Sequence, residues 1–155
     1  MNVIDKSEQK FMAMALDLAR KAAAIGETPV GAVVVQNGTV IGMGHNLVEA
    51  EKDPTAHAEI VALREAGRFS NDWRLPGATV YVTLEPCIMC AAALVHSRVK
   101  RLVFGARDLR WGGVGSLFDL AHDPRMNHEL EVVSGIMEDR AAALLQQFYK
   151  QLRRN

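Results

Sequence analysis

The apolar residues near the N-terminus follow a helical spacing that gives way to a strand pattern after Pro29. The recurrence at three and four residues predicts an amphipathic helix from about Ser7 to about Gly26, with apolar positions at Phe11, Met14, Ala15, Leu18, Ala19 and Ala22. Two β-rich segments, 30–36 and 39–44, then flank Asn37-Gly38, a pair typical of a type I′ turn. The pattern therefore predicts a helix followed by a β-hairpin.

Helices and strands alternate beyond the hairpin. A helix is predicted over 56–66, begun by the Asp53-Pro-Thr segment and closed by Gly67. Strands are predicted at 79–84, 99–104 and 130–133. Pro86 and the two cysteines begin a helix directly after the first of these strands, and a closing helix is predicted at 137–152. This order predicts one α/β domain over residues 1–155, with a mixed sheet between helices. Residues 91–95 are apolar all round the helix, which favours cover on both sides, one possible cover being a second subunit.

Charge and composition narrow the functional classes. Lys+Arg and Asp+Glu both number 18, so net charge identifies no partner and nucleic acid would need a local basic patch. The start from Met1 to Lys10 is charged and polar, and no apolar run approaches the ~20 residues that span a bilayer. We therefore expect a soluble, cytoplasmic protein without an export signal or a membrane partner. The two cysteines, Cys87 and Cys90, form one cluster, which favours a reducing compartment and a metal or redox role.

Three residues in this chain have the chemistry of a catalytic zinc site. Cys87 and Cys90 stand three apart at a predicted helix start, where both sulfurs share one side and the helix dipole favours the thiolates. His57 offers a third ligand, so a fourth position stays open for water. Glu59, two residues further on, is placed to carry protons to and from such a water. His-x-Glu followed by Pro-Cys-x-x-Cys is the signature of zinc-dependent nucleobase deaminases.

Other interpretations of these motifs remain open. Cys87 and Cys90 could form a thioredoxin-like redox pair, which leaves the His57 motif without a role. They could also hold a structural zinc ion with His122 and His128, although the 31 residues between Cys90 and His122 exceed the usual finger linker. His45 and His96 are most simply core or surface histidines. The segment Gly112–Ser116 lacks the spacing and the lysine of a P-loop, and we interpret it as a flexible loop that could lie near the active site.

The resemblance extends beyond the zinc motif. The segments 53–59, 81–90, 104–108, 115–116 and 126–128 are together similar to those of the bacterial tRNA-specific adenosine deaminases of the cytidine/deoxycytidylate deaminase superfamily. The similarity runs nearly end to end. It implies a three-layer α/β/α cytidine-deaminase-like sandwich with a five-stranded mixed sheet, a homodimer, and one zinc ion per subunit. The implied reaction is hydrolysis of adenosine to inosine at the wobble position of a tRNA anticodon, by zinc-activated water.

The same resemblance implies residue roles. Glu59 would donate and accept protons, Asn46 and the backbone amide of Ala58 would hold the purine, and Asp108 would contact the neighbouring nucleotide. Extrusion of the base is least costly from an anticodon loop, whose bases are already partly unpaired. The chain departs from the family pattern at Ala92, Arg110, Trp111 and Tyr149. Trp111 leaves the shape of the loop after Asp108, and with it the neighbouring-base preference, open.

Binding an RNA loop also requires phosphate contacts. The sequence offers Arg107, Arg110, Tyr149, Lys150, Arg153 and Arg154. The alternative is a solvated basic helix end favoured by its dipole, with Tyr149 partly buried rather than stacked on a base.

Two other functions stay open: a free-base or nucleoside deaminase acting on guanine or cytosine, and a non-catalytic zinc-stabilised binding module. Glu59 argues against the module, because a structural zinc site needs no unligated carboxylate.

Overall fold

The computed structural model describes residues 5–154. Residues 1–4, part of the charged start used above to predict the absence of an export signal, lie outside this range. In chain order the elements are α1 (Lys6–Ala24), β1 (Gly31–Gln36), β2 (Thr39–His45), α2 (Val48–Glu51), α3 (Ala58–Ser70), β3 (Thr79–Leu84), α4 (Ile88–His96), β4 (Arg101–Ala106), β5 (Glu131–Val133) and α5 (Glu138–Arg154).

The five strands form one mixed sheet in the order β2-β1-β3-β4-β5. β1 pairs antiparallel with β2 and β3, whereas β3, β4 and β5 run parallel. Asn37 and Gly38, between β1 and β2, have φ angles of 53° and 76°, as a type I′ turn requires at both positions. The predicted hairpin and the predicted mixed sheet are therefore confirmed.

Helices cover both faces of the sheet, which confirms the three-layer α/β/α architecture. Alternate residues of β1 point to opposite faces: Val33 packs with Phe11 and Met12 of α1, whereas Val34 packs with α3 and α4 residues such as Ala62 and Leu94. α5 packs on the same side as α1. Of the residues described, no helix is long and apolar enough to cross a membrane.

Several predicted boundaries are wrong. α3 begins at Ala58 instead of residue 56, because Asp53 accepts the Thr55 N–H and hydroxyl and forms a separate turn ahead of it. The helix also continues past Gly67 to Ser70 and ends where Asn71 takes a left-handed φ of 53°. β4 starts two residues later than predicted, at Arg101, and extends to Ala106, and the short α2 was not predicted.

Two glycines of β2 let α3 lie directly on the sheet. A Cβ on Gly42 would stand 2.3 Å from the Ala62 carbonyl oxygen, and one on Gly44 would stand 2.7 Å from the Ala58 carbonyl oxygen. Both distances are shorter than a van der Waals contact, so no larger side chain fits unless the helix retreats. This close packing fixes the N-terminus of α3, where the predicted site residues His57, Ala58 and Glu59 lie.

Candidate active site

The three predicted metal ligands meet at the N-termini of two helices. His57 is the N-cap residue of α3 and Cys87 the N-cap residue of α4, and neither side chain caps its own helix. Cys90 lies one turn into α4 and is buried. The Nδ1 atom of His57 is 3.6 Å from the Cys87 sulfur and 3.4 Å from the Cys90 sulfur. The sequence predicted that Pro86 and Cys87 lie in the first turn of this helix. That boundary is wrong, because α4 begins at Ile88, two residues after Pro86 and one after Cys87.

Hydrogen bonds among the three side chains shift their pKa values. A hydrogen bond with the Cys90 thiol, followed by one with His57, lowers the pKa of Cys87 to about 4. The same bond and burial raise the pKa of Cys90, while the hydrogen bond to Cys87 raises the pKa of His57. The lowered pKa favours the thiolate form of Cys87, and the positive ends of two helix dipoles favour the same charge.

The donor set fits a catalytic zinc ion. One imidazole nitrogen and two sulfurs lie within 4.8 Å of one another, and among residues 5–154 no other His, Cys, Asp or Glu completes the cluster. Structural zinc sites are closed by four protein ligands, whereas catalytic sites use three and leave one position open. His122 is paired with Asp119, and His128 contacts the Val99 carbonyl oxygen. The interpretation as a structural zinc site with these two histidines is therefore wrong.

Glu59 lies in the first turn of α3, beside the metal ligands but not among them. Only 4% of the residue is exposed, and this burial raises the pKa of its carboxyl to about 6, against an opposing hydrogen bond from the backbone. A carboxyl group with a pKa near the working pH both takes up and releases protons readily. The geometry thus offers a proton carrier next to a metal site.

A cavity of about 350 Å³ opens over this cluster. Its volume is in the range typical of small-molecule sites. It is lined by Thr28, Val30, Asn46, His57, Ala58, Glu59, Leu84, Glu85, Cys87, Asp108, Trp111 and Tyr149. The structure therefore brings seven predicted site residues, the ligands His57 and Cys87 included, to one cavity, and the third ligand Cys90 lies beside them.

Two of the lining residues present polar groups of fixed direction. The Oδ1 atom of Asn46 accepts the Val48 N–H at 3.4 Å, which leaves the amide NH₂ as the donor for a ligand. Ala58 is the first residue of α3, and the N–H groups of a first helical turn have no partner within the helix. Both groups can donate to the acceptor atoms of a planar base.

A second cavity, of about 470 Å³, adjoins the first. The two share Leu84, Asp108, Trp111 and Tyr149, and the second adds Arg107, Leu109, Arg110, Leu145, Leu152 and Arg153. Trp111 is 67% exposed and Tyr149 is 45% exposed, so Tyr149 is partly buried and still presents part of its ring to the groove. Lys150 and Arg154, also predicted for RNA contact, lie on α5 but line neither cavity.

Sequence reasoning missed Glu85. It is 2% exposed and its carboxylate accepts hydrogen bonds from the backbone N–H groups of Asp108, Val114 and Ser116. The segment interpreted as a flexible loop, Gly112–Ser116, is thus fastened to this carboxylate. The glutamate of the Leu-Glu-Pro-Cys run was the signal that could have identified this residue. A charged side chain that is buried rarely lacks partners.

Family comparisons agree with this geometry. The model of the cytidine and deoxycytidylate deaminase zinc-binding region matches residues 5–106. The tRNA-specific adenosine deaminase of Haemophilus influenzae is 50% identical over 147 residues, which are 94% of this chain and 85% of that protein. The tRNA-specific adenosine deaminase of Bacillus subtilis is 47% identical over 147 residues, covering 95% and 91%.

Solved structures show the same similarity. One, from a study of A-to-I editing by tRNA deaminases at the wobble position, superimposes with a TM-score of 0.86 and 44% identity, covering 88% of this chain and 99% of its own. A guanine deaminase from Nitrosomonas europaea gives a TM-score of 0.77 with 27% identity and covers 92% and 84%. The identity is thus higher to the structure from the tRNA study than to the free-base enzyme.

Proposed function

The chain belongs to the cytidine and deoxycytidylate deaminase zinc-binding family, and we propose that it hydrolyses adenosine to inosine at the wobble position of a tRNA anticodon. The observation that carries this proposal is a base-sized cavity over His57, Cys87 and Cys90 that continues into a groove with exposed aromatic and arginine side chains. A free base would fill the first cavity alone, whereas an RNA loop also needs the second. The activities of the tRNA-specific relatives support the same choice.

The reaction replaces the exocyclic amine of adenine with oxygen. Zinc in this site supplies an activated water molecule as the nucleophile. Glu59 takes up the first proton that the water loses and delivers it to N1 of the ring. It then takes up the second proton, from the oxygen now bonded to C6, and delivers it to the amine, which leaves as ammonia. Its burial and raised pKa suit a group that must hold a proton and then give it up.

Asn46 and Ala58 orient the base. The amide NH₂ of Asn46 and the backbone N–H of Ala58 are donors on the cavity wall, where they meet the acceptor nitrogens or the new oxygen of the purine. Because both belong to backbone turns fixed by neighbouring residues, they hold the ring without rearrangement. Leu84 and Val30 form the apolar part of the wall and exclude water from the reacting carbon.

The groove beside the cavity holds the flanking nucleotides. Trp111 and Tyr149 offer exposed rings for base stacking, and Arg110 and Arg153 offer charge for phosphates. The Oδ1 atom of Asp108 accepts the N–H groups of Arg110 and Trp111, so its second oxygen serves the neighbouring nucleotide. RNA binding therefore comes from a local patch on a chain whose formal net charge is zero.

The working unit is a homodimer. Ile88 at the start of α4 is 40% exposed, and Leu117 and Phe118 are 51% and 56% exposed on the loop whose Gly113 contacts Ile88. Exposed apolar groups of this kind mark an association surface. Sedimentation should give twice the chain mass of 17.0 kDa, and Phe118→Asp should shift it to the monomer. A wild-type mass of one chain would contradict the dimer.

The compartment is the cytoplasm. A reducing environment keeps Cys87 and Cys90 as thiols able to bind metal, and tRNA is present there. Fractionation of cells that express the chain should place it in the cytoplasmic fraction. Recovery with membranes would contradict this assignment.

The function is tested with the full chain and two anticodon stem-loops. One carries adenosine at the wobble position, and the other carries the same adenosine one nucleotide away, so that composition and charge are matched. Nuclease digestion and mass spectrometry should find inosine in the first RNA only. Equal conversion of both RNAs would refute wobble specificity, and conversion of neither would refute the proposed function.

A further inference from the structure

Glu85 is a buried carboxylate between the end of β3 and the first metal-binding cysteine. It is 2% exposed, and no cation of residues 5–154 forms an ion pair with it. Its oxygens accept hydrogen bonds from the N–H groups of Asp108 at 3.1 Å, Val114 at 3.2 Å and Ser116 at 3.1 Å, and from the Ser116 hydroxyl. All of its partners thus come from one downstream loop.

That loop, residues 108–118 and called here the Asp108 loop, wraps closely around the carboxylate. A Cβ on Gly112 would stand 2.2 Å from the Glu85 Oε2 atom and 2.5 Å from the Asp108 carbonyl oxygen. The Gly113 N–H donates to the Pro86 carbonyl oxygen at 2.8 Å, and Gly112 forms a β-bridge with Cys87. The loop is therefore fastened to the segment that holds the metal ligand.

We propose that Glu85 is a positioning residue for RNA binding, which fixes the Asp108 loop so that Asp108 and Trp111 form the wall shared by the two cavities. The inference rests on the proposed function, since the groove is assigned to flanking nucleotides. Glu85 does not act on the substrate, because both of its oxygens are already used by donors of the loop. It acts through the backbone of the residues that do.

The arrangement requires a carboxylate and not an amide. Oε2 accepts two backbone N–H groups, from Val114 and Ser116, and Oε1 accepts the Asp108 N–H together with the Ser116 hydroxyl. A glutamine would place its NH₂ against at least one backbone N–H, in either orientation of the amide. Two donors would then face each other, and a buried N–H without an acceptor is costly. Glu85→Gln thus loosens the loop with almost no change in shape.

The first experiment compares kcat, KM and bound zinc for the wild type and Glu85→Gln on the wobble-adenosine stem-loop. We expect KM to rise about tenfold, the factor for one lost hydrogen bond to a charged group, while kcat and the zinc content stay near the wild-type values. In an Asp108→Ala background the same substitution should raise KM less, because one of the two positioned residues is gone. An equal rise in both backgrounds, or loss of zinc, would overturn the proposal.

A second substitution disturbs the same contact from the loop side. It tests the role of Glu85 even if the Glu85→Gln variant does not fold. Gly112→Ala pushes the loop away from an intact carboxylate and should raise KM with zinc retained. Its control is Gly67→Ala in α3, where the nearest atom to a new Cβ is 3.4 Å away, and KM should not change. Wild-type KM in Gly112→Ala would overturn the proposal. A wild type that leaves the stem-loop unchanged would instead refute the proposed function.

Discussion

The packing of α3 on the sheet makes a quantitative prediction for Gly44→Ala. The new Cβ would stand 2.7 Å from the Ala58 carbonyl oxygen and 2.8 Å from the Ala62 nitrogen and the Val61 Cβ. Two of these atoms belong to the helix backbone and cannot rotate away. To restore an ordinary contact of 3.4 Å, the start of α3 must move outward by about 0.7 Å. His57 and Glu59 lie at that helix start and move with it.

Two magnitudes follow from this displacement. Overpacking of this kind costs about 1–3 kcal/mol of the free energy of unfolding, which urea titration measures. Misplacement of a catalytic group by about 1 Å lowers the rate about 100-fold, so the smaller shift predicts a kcat that is 10- to 100-fold lower. kcat is to be measured with saturating stem-loop and excess zinc, at a temperature at which the variant is fully folded.

A control separates loss of stability from displacement of the site. Leu16 is 1% exposed in α1, on the opposite face of the sheet from α3, and Leu16→Ala costs about 2–5 kcal/mol through the cavity that it leaves. It should keep the wild-type kcat while folded, although it loses at least as much stability as Gly44→Ala. An unchanged kcat in Gly44→Ala, or an equal fall in both variants, would refute the reasoning.

Three further substitutions test the assigned roles. Glu59→Gln should retain one zinc ion per chain but lose at least about 1,000-fold in kcat, because the proton carrier is gone; metal analysis that finds no zinc would make Glu59 a ligand instead. Cys90→Ser should lose zinc and activity together, and full zinc occupancy in this variant would remove Cys90 from the ligand set. Tyr149→Ala should raise KM for the stem-loop about tenfold through lost stacking, whereas Tyr149→Phe should bind like the wild type; equal KM values for the two variants would exclude stacking.

The sequence predicts the parts of the fold and site that depend on local patterns. Asn37-Gly38 fixes a turn through the φ angles that these residues tolerate. The three-residue spacing of Cys87 and Cys90 places both sulfurs on one side of a helix start. Such features involve neighbours in the chain, so the residue types alone determine them.

Features that depend on distant contacts could not be predicted in this way. The helix α3 runs past Gly67 to Ser70 and ends where Asn71 takes a left-handed φ, because a single glycine weakens a helix without necessarily ending it. The partners of Glu85 lie 23 to 31 residues downstream. A single sequence does not show which loop returns to a buried carboxylate, and the segment therefore looked flexible.

The most direct test of the deaminase assignment compares substrates of two sizes. The zinc-loaded chain is incubated in parallel with an anticodon stem-loop that carries wobble adenosine and with free adenosine, guanine and cytosine, and kcat/KM is measured from the ammonia released. We predict turnover of the stem-loop and none of the small substrates, because only the RNA occupies the groove of Trp111, Tyr149 and Arg153. Turnover of a free base or nucleoside with an inert stem-loop would contradict the assignment.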